Sequence, residues 1–186
     1  RRNIVGLLLS DHPQDCLKCE KNLKCELQKL AADLGVKEIK YEGEISTYPM
    51  DISSPSVIRD MDKCILCRRC ATVCNEIQKV HVLTPVNRGF DTVISSFMSK
   101  PFVDTKCTYC GQCLAVCPTG ALREVYNYDE VWNVLSDKDK YVIVQTAPAV
   151  RAALGEEFGL PAGTDVTKKM VGALKALGFK KVFDTD

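Results

Sequence analysis

Asp62-Lys-Cys-Ile-Leu-Cys-Arg-Arg-Cys-Ala-Thr-Val-Cys74 returns 43 residues later as Thr105-Lys-Cys-Thr-Tyr-Cys-Gly-Gln-Cys-Leu-Ala-Val-Cys117. Each copy carries four cysteines at spacings x2, x2 and x3. The x2 spacing lets one tight loop present three sulfurs to three corners of a cube, so the fourth corner must come from elsewhere. This is the bacterial ferredoxin run, in which the last cysteine of each copy serves the other cluster. The expected sets are therefore Cys64, Cys67, Cys70 and Cys117 for one [4Fe–4S] cluster, and Cys107, Cys110, Cys113 and Cys74 for the other. Pro118 follows Cys117 as the pattern expects. Asn75 follows Cys74, a departure that weakens the turn there but removes no ligand.

Working outward, three more cysteines precede the repeat in the pattern His12-x3-Cys16-x2-Cys19-x5-Cys25, and 3 + 4 + 4 accounts for all 11 thiols of the chain. The odd total is explained if His12 is the fourth ligand of the first set. Twelve donors in fours predict three [4Fe–4S] clusters. A neutral imidazole in place of an anionic thiolate makes a cluster less negative and easier to reduce, as Rieske centres illustrate on a different cluster. Zinc sites usually pair two cysteine or histidine halves across a longer loop, which does not fit three tight runs. A disulfide framework fits neither the odd count nor sulfurs packed two residues apart. Reduced thiolates in a cytosolic compartment fit better. His81, the other histidine, reads as a strand residue without a role. Arg68 and Arg69 read as solvated surface charge, and Trp132 as helix core.

The 186 residues carry a net charge of +1, so no strong field calls for nucleic acid or an anionic membrane. The apolar run Ile4 to Leu9 is far short of the roughly 20 residues a membrane-spanning helix needs. Arg1 and Arg2 before it could open an export signal, but a polar cysteine-rich segment follows at once with no small-residue cleavage site. The start reads instead as the last helix of a preceding domain, in a chain that is a segment of something longer.

The expected fold class is α+β in three pieces. Residues 1–50 form a [4Fe–4S] module with one His and three Cys ligands, plus a connector. Residues 51–126 form a two-cluster ferredoxin-like domain. Residues 127–186 begin an α/β domain. Helices are expected over 1–10, over Cys25 to Leu34 with Gly35 as the stop, and over Asp129 to Leu135. A run from Pro148 through Glu157 should also be helical. So should Val166 to Leu177, capped by Asp165 or Thr164 and closed by Gly178. Residues 41–56 read as an irregular connector. Val80 to Pro85 and Asp91 to Phe97 read as a hairpin turning at Asn87-Arg-Gly. Tyr141 to Gln145 reads as a compact buried strand, and Lys181-Val-Phe as a second strand.

Beyond the ligand order stand Val144-Gln-Thr-Ala-Pro-Ala-Val-Arg151, Gly155-Glu-Glu-Phe-Gly159, and the stretch from Asp165 through Asp184. With the three donor sets, this arrangement resembles the iron-only, or [FeFe], hydrogenases over essentially the whole chain. The resemblance implies electrons running along the clusters to an H-cluster, a [4Fe–4S] cube bridged by cysteine to a di-iron centre. It also implies that residues 1–10 trail an upstream [2Fe–2S] domain, common in larger members. On the same grounds Ala147 and Pro148 sit in the wall of the di-iron pocket; read from the residues alone, they are a strand-to-helix turn.

The function expected is electron relay within a cytoplasmic hydrogenase subunit that interconverts protons and H2. No spare cysteine here anchors the H-cluster, so this segment lacks the catalytic motifs. The implied partners are redox subunits of a hetero-oligomer: a flavin-containing NAD(P)H subunit, a ferredoxin or a formate dehydrogenase. A relay subunit of an NADH- or formate-oxidising complex shares the chemistry of the first 126 residues. A hydrogenase-like iron–sulfur assembly protein would not need the histidine-containing module.

Overall fold

Gly35 decides where the first module turns. It follows α2 (Glu26–Asp33) with φ at +63°, the left-handed conformation that glycine adopts at little cost. The helix before it buries Leu27 and packs against α1 (Arg2–Ser10), which buries Val5. Arg2 Nε donates across the pair to the Leu34 carbonyl at 2.7 Å. The computed structural model describes residues 1–185, in two compact units: Arg1–Val125, and a second that begins at Tyr126. The pieces read as 1–50 and 51–126 fall together in the first of these, which ends one residue earlier, at Val125.

The connector over 41–56 is irregular, apart from an isolated bridge between Asp51 and Arg59. It is tethered by side chains instead. Asp11 accepts from the Ser46 N–H at 2.6 Å and from its hydroxyl at 2.9 Å, and Asp62 accepts from the Tyr48 N–H at 2.6 Å.

The repeat closes on itself through two short strands. β1 (Val57–Arg59) pairs antiparallel with β4 (Leu122–Glu124), Val57 opposite Glu124 and Arg59 opposite Leu122. Between them β2 (Thr84–Val86) and β3 (Val93–Ser95) form the expected hairpin, with Asn87 and Gly89 both at positive φ in its turn. Its strands are shorter than the sequence pattern suggests. Residues 80–83 lie outside any strand, and His81 among them is exposed with φ at +57°. The core gathers Val57, Met61, Val82, Leu83, Val93, Ile94, Phe102 and Leu122 around Cys70.

The two copies diverge where Pro118 is replaced by Asn75. Proline lacks an N–H and cannot continue a helix, and α4 (Gln112–Ala115) ends just before Cys117 and Pro118. With asparagine available, α3 (Arg69–Thr72) runs on through a π-helical turn, Val73–Ile77, that carries Cys74. Asn75 Nδ2 then donates to the Leu83 carbonyl at 2.9 Å, anchoring the segment that follows.

A charged pair lies buried inside this unit. Arg59 and Asp51, with side chains 9% and 8% exposed, approach to 3.4 Å. Arg59 also donates to the Ser95 hydroxyl at 2.7 Å, and its guanidinium lies 5.2 Å from the Phe102 ring centre. Asp51 accepts from the Ser53 hydroxyl and from the N–H groups of Ser53 and Phe102. Burial pushes the Asp51 carboxyl up, but these bonds and Arg59 outweigh it and hold the group below the ordinary carboxylate value.

In the second unit β5 (Ile143–Thr146) and β6 (Lys181–Asp184) run parallel, Ile143 opposite Lys181. Parallel strands need a crossover, supplied here by α6 (Pro148–Glu157) and α7 (Thr167–Ala176). Pro148 sits at the first helical turn, where its missing N–H costs nothing. Asp165 accepts the Thr167 N–H at 2.9 Å before α7, and Gly178 closes it at φ +114°. Leu160, Val166 and Met170 line a groove beside Gly155. α5 (Tyr128–Ser136) leaves Trp132 half exposed, and Ile143 of β5 is 55% exposed. Neither forms the buried core the sequence suggests, because a two-stranded sheet with three short helices covers too little of either face. No helix among the described residues is long and apolar enough to cross a membrane.

Candidate iron–sulfur centres

The ligand loops owe their shape to paired left-handed residues. Leu66 and Arg68 in the first copy, and Tyr109 and Gly111 in the second, all have φ between 54° and 73°. These reversals turn backbone N–H groups towards sulfur: the Leu66 N–H donates to Cys64 Sγ at 3.4 Å, and the Tyr109 N–H lies against Cys107. Arg68 occupies without a glycine's freedom the position that Gly111 fills in the other copy.

The eight thiols of the repeat gather as two crossed fours. Cys64, Cys67, Cys70 and Cys117 line one apolar pocket, walled by Met61, Ile65, Ile94 and Leu122. Cys74, Cys107, Cys110 and Cys113 line a second, walled by Val57, Val73, Val80 and Phe102. Leu83, fully buried, faces both cavities.

Thiols so placed do not ionise readily by themselves. Burial pushes Cys64 up to about 11 and Cys70 and Cys113 up to about 12, and neighbouring sulfurs add to each shift. A compensating positive core, which an iron–sulfur cube would supply, favours the thiolate form of sulfurs buried in this way. All 11 cysteines are free thiols. Among the described residues no three His, Cys, Asp or Glu side chains converge tightly enough to hold a single metal ion. Thiolates around one zinc would stand about 3.8 Å apart, from a Zn–S bond of about 2.3 Å in a tetrahedron.

The third set is built on the turn after α1. His12, Cys16, Cys19 and Cys25 all lie on the segment between α1 and α2, Cys25 directly before α2. His12 Nδ1 is buried with no hydrogen-bond partner. A buried polar atom without a partner is costly, and coordination to iron would satisfy it. Burial holds the imidazole below its ordinary value, against the raising effect of Asp15, so it is neutral at pH 7 with a lone pair to give.

This module sits against the Cys64 side of the repeat. Lys63 pairs with Asp15 at 3.3 Å, Arg69 with Glu26 at 2.7 Å, and Arg123 with Glu20. The Glu26 N–H donates to the Pro118 carbonyl at 2.9 Å, one residue beyond Cys117. Gly120 has no side chain because there is no room for one: a Cβ there would stand 2.9 Å from Cys19 Sγ. Arg69, read as solvated charge, is half exposed but joins the two parts. Ala147 and Pro148 lie exposed at the start of α6 in the second unit. Lys63, Gly120 and the three ion pairs were not legible as site elements, because their partners are 43 to 103 residues apart or come from another loop.

Comparison with known proteins follows the same order along the chain. Residues 1–40 match the NADH-ubiquinone oxidoreductase-G iron–sulfur binding region, 54–123 the ferredoxin-like domain of NADH-quinone oxidoreductase subunit 3, and 140–186 the C-terminal domain of the iron-only hydrogenase large subunit. The chain is 58% identical, over its whole length, to the NADP-reducing hydrogenase subunit HndD of Solidesulfovibrio fructosivorans. That match covers 32% of the relative. Over 97% of the chain it is 38% identical to iron hydrogenase 1 of Clostridium pasteurianum, again 32% of the relative. This is the electron-relay region of an [FeFe]-hydrogenase. It spans about a third of the length of these hydrogenase relatives. The crystal structure of an NAD+-reducing [NiFe]-hydrogenase in the H2-reduced state also matches, with a TM-score of 0.62 and 26% identity over 67% of this chain and 53% of that one. The relay modules of the [FeFe]-hydrogenase chain thus resemble parts of an enzyme named for a different metal centre, as expected for iron–sulfur electron-transfer modules shared among oxidoreductases.

Proposed function

We propose that the chain carries single electrons through three [4Fe–4S] clusters to the H-cluster of a cytoplasmic [FeFe]-hydrogenase that interconverts protons and H2. The first cluster is held by His12, Cys16, Cys19 and Cys25. The second is held by Cys64, Cys67, Cys70 and Cys117, and the third by Cys107, Cys110, Cys113 and Cys74. Each cube, when bound, supplies a one-electron centre. The protein's own part is to fix the donors, exclude water and set the distances. Apolar walls and the N–H···S bond from Leu66 shape the second site, and Leu83 is the packing between the second and third. The observation that supports this most is the sorting of eight thiols into two crossed fours, with a third donor set packed beside one of them.

Residues 127–186 are read as the start of the H-cluster domain, with Ala147 and Pro148 in the wall of the di-iron pocket. With all 11 thiols assigned, no cysteine here is left to anchor the H-cluster. Electrons would come from or pass to partner subunits of a hetero-oligomer: a flavin-containing NAD(P)H subunit, a ferredoxin or a formate dehydrogenase. The matches over 1–40 and 54–123 also favour a relay in an NADH-oxidising complex, but the match over 140–186 favours the hydrogenase. Anaerobically reconstituted polypeptide of these 186 residues should take up about three electrons per chain, one per cube. It should evolve no H2 from reduced viologen; H2 evolution by it would refute this division of labour.

A further inference from the structure

Lys63 is a cation enclosed at the seam between the His12 module and the Cys64 site. Its side chain is 14% exposed, and its ammonium lies 3.3 Å from the Asp15 carboxylate on one side and 3.3 Å from the buried Asp60 carboxylate on the other. Its stem runs over Gly120, where a Cβ would meet Lys63 Cδ at 3.4 Å and Cys19 Sγ at 2.9 Å. Its carbonyl accepts the Thr119 hydroxyl at 2.7 Å, and its next residue is Cys64. The side chain therefore lies beside Cys19 of the first set, while its backbone leads directly into Cys64 of the second. Its twin in the repeat, Lys106, precedes Cys107 in the same way but is exposed and makes no ion pair among the described residues. The sequence pattern treats the two lysines alike; the fold encloses one of them.

We infer that Lys63 is a positioning residue whose charge raises the reduction potential of the centre built on His12, Cys16, Cys19 and Cys25 while holding that module to the Cys64 site. The inference rests on the three-cluster reading above. At the seam two carboxylates face a single ammonium. A centre that gains one electron there becomes more negative, with no bond made and no proton required. Interactions between charges are much stronger away from bulk water. Without Lys63 the two carboxylates oppose that electron uncompensated.

The test uses full-length protein with its clusters loaded, followed by EPR during a redox titration. Lys63→Gln should shift the first-module centre at least tenfold towards its oxidised form, a fall of about 59 mV for a one-electron couple. Lys63→Arg and Lys106→Gln should leave it in place. Lys63→Gln combined with Asp15→Asn restores the local net charge while removing the ion pair, and should bring the potential back. An unmoved midpoint in Lys63→Gln, an equal shift in Lys106→Gln, or no recovery in the double variant would each overturn the inference. If Lys63→Gln fails to hold its iron, the double variant decides: restored iron and potential support the role, and continued loss overturns it. Absence of a third reducible centre in the unmodified protein would instead sink the underlying three-cluster reading.

Discussion

Cys117→Ala removes about four iron atoms per chain, one cube's worth, and they are the irons of the Cys64 run. Cys117 ends the Cys107 run, but the crossed pattern gives it to the other cube. The cavity it lines is the one shared with Cys64, Cys67 and Cys70. Pairs of substitutions expose the crossing. If Cys67 and Cys117 hold one cube, Cys67→Ala with Cys117→Ala loses the same four irons as either change alone. Cys110→Ala with Cys117→Ala loses about eight, because it breaks two cubes. Uncrossed runs reverse these two results. The cost should extend beyond the metal. Cys70 belongs to the hydrophobic core and Cys64 and Cys117 of the same cavity pack against it, so an empty site leaves a void beneath Met61, Ile94 and Leu122. Thermal unfolding should fall well below that of a surface control such as Lys106→Gln.

Asp51→Ala should lower stability by about 3–5 kcal/mol, the usual cost of stranding one partner of a buried ion pair. Arg59 would keep the Ser95 hydroxyl and the face of Phe102 but lose its counter-charge. The Phe102 N–H would lose its acceptor at the same time. With a slope of about 1–3 kcal/mol/M, the urea midpoint should drop by at least about 1 M. Asp51→Ala combined with Arg59→Met removes both charges and should recover much of the loss. pH adds a second signature. The Asp51 carboxyl is held low in the folded chain, so its contribution is complete above the unfolded value near 3.9 and disappears as pH falls through the folded value. Asp51→Asn should therefore flatten the acid limb of the stability profile. An unchanged midpoint in Asp51→Ala would mean that the pair is open to solvent.

Much of this was readable from the chain because ligand chemistry is local. Three sulfurs at x2 spacing must share a loop, so the repeat and its candidate donors stand out in the sequence without any fold. Helix ends were legible for the same reason: Gly35, Pro148 and Gly178 act on their own turn. What escaped depends on contacts made at long range. Lys63 and Lys106 are indistinguishable in sequence, and only the docking of the His12 module encloses one of them. Gly120 looks like a loop glycine until Cys19 is seen against it. Trp132 and Ile143 carry the apolar character of core residues, yet lie exposed where the second unit covers little of either sheet face. His81 sits in an apolar stretch that suggested a strand. The Asn75 anchor on Leu83 and a left-handed backbone at His81 hold that stretch unpaired.

The central claim is that twelve side chains of this protein, His12 among them, grip three iron cubes. Iron and acid-labile sulfide should be measured on anaerobically reconstituted protein, together with the same measurement on His12→Ala. About twelve of each per polypeptide are expected, four per cube, with a first-module signal that is altered or lost in the variant while the other two persist. A tally near eight that His12→Ala does not change, or zinc in place of iron, would contradict it.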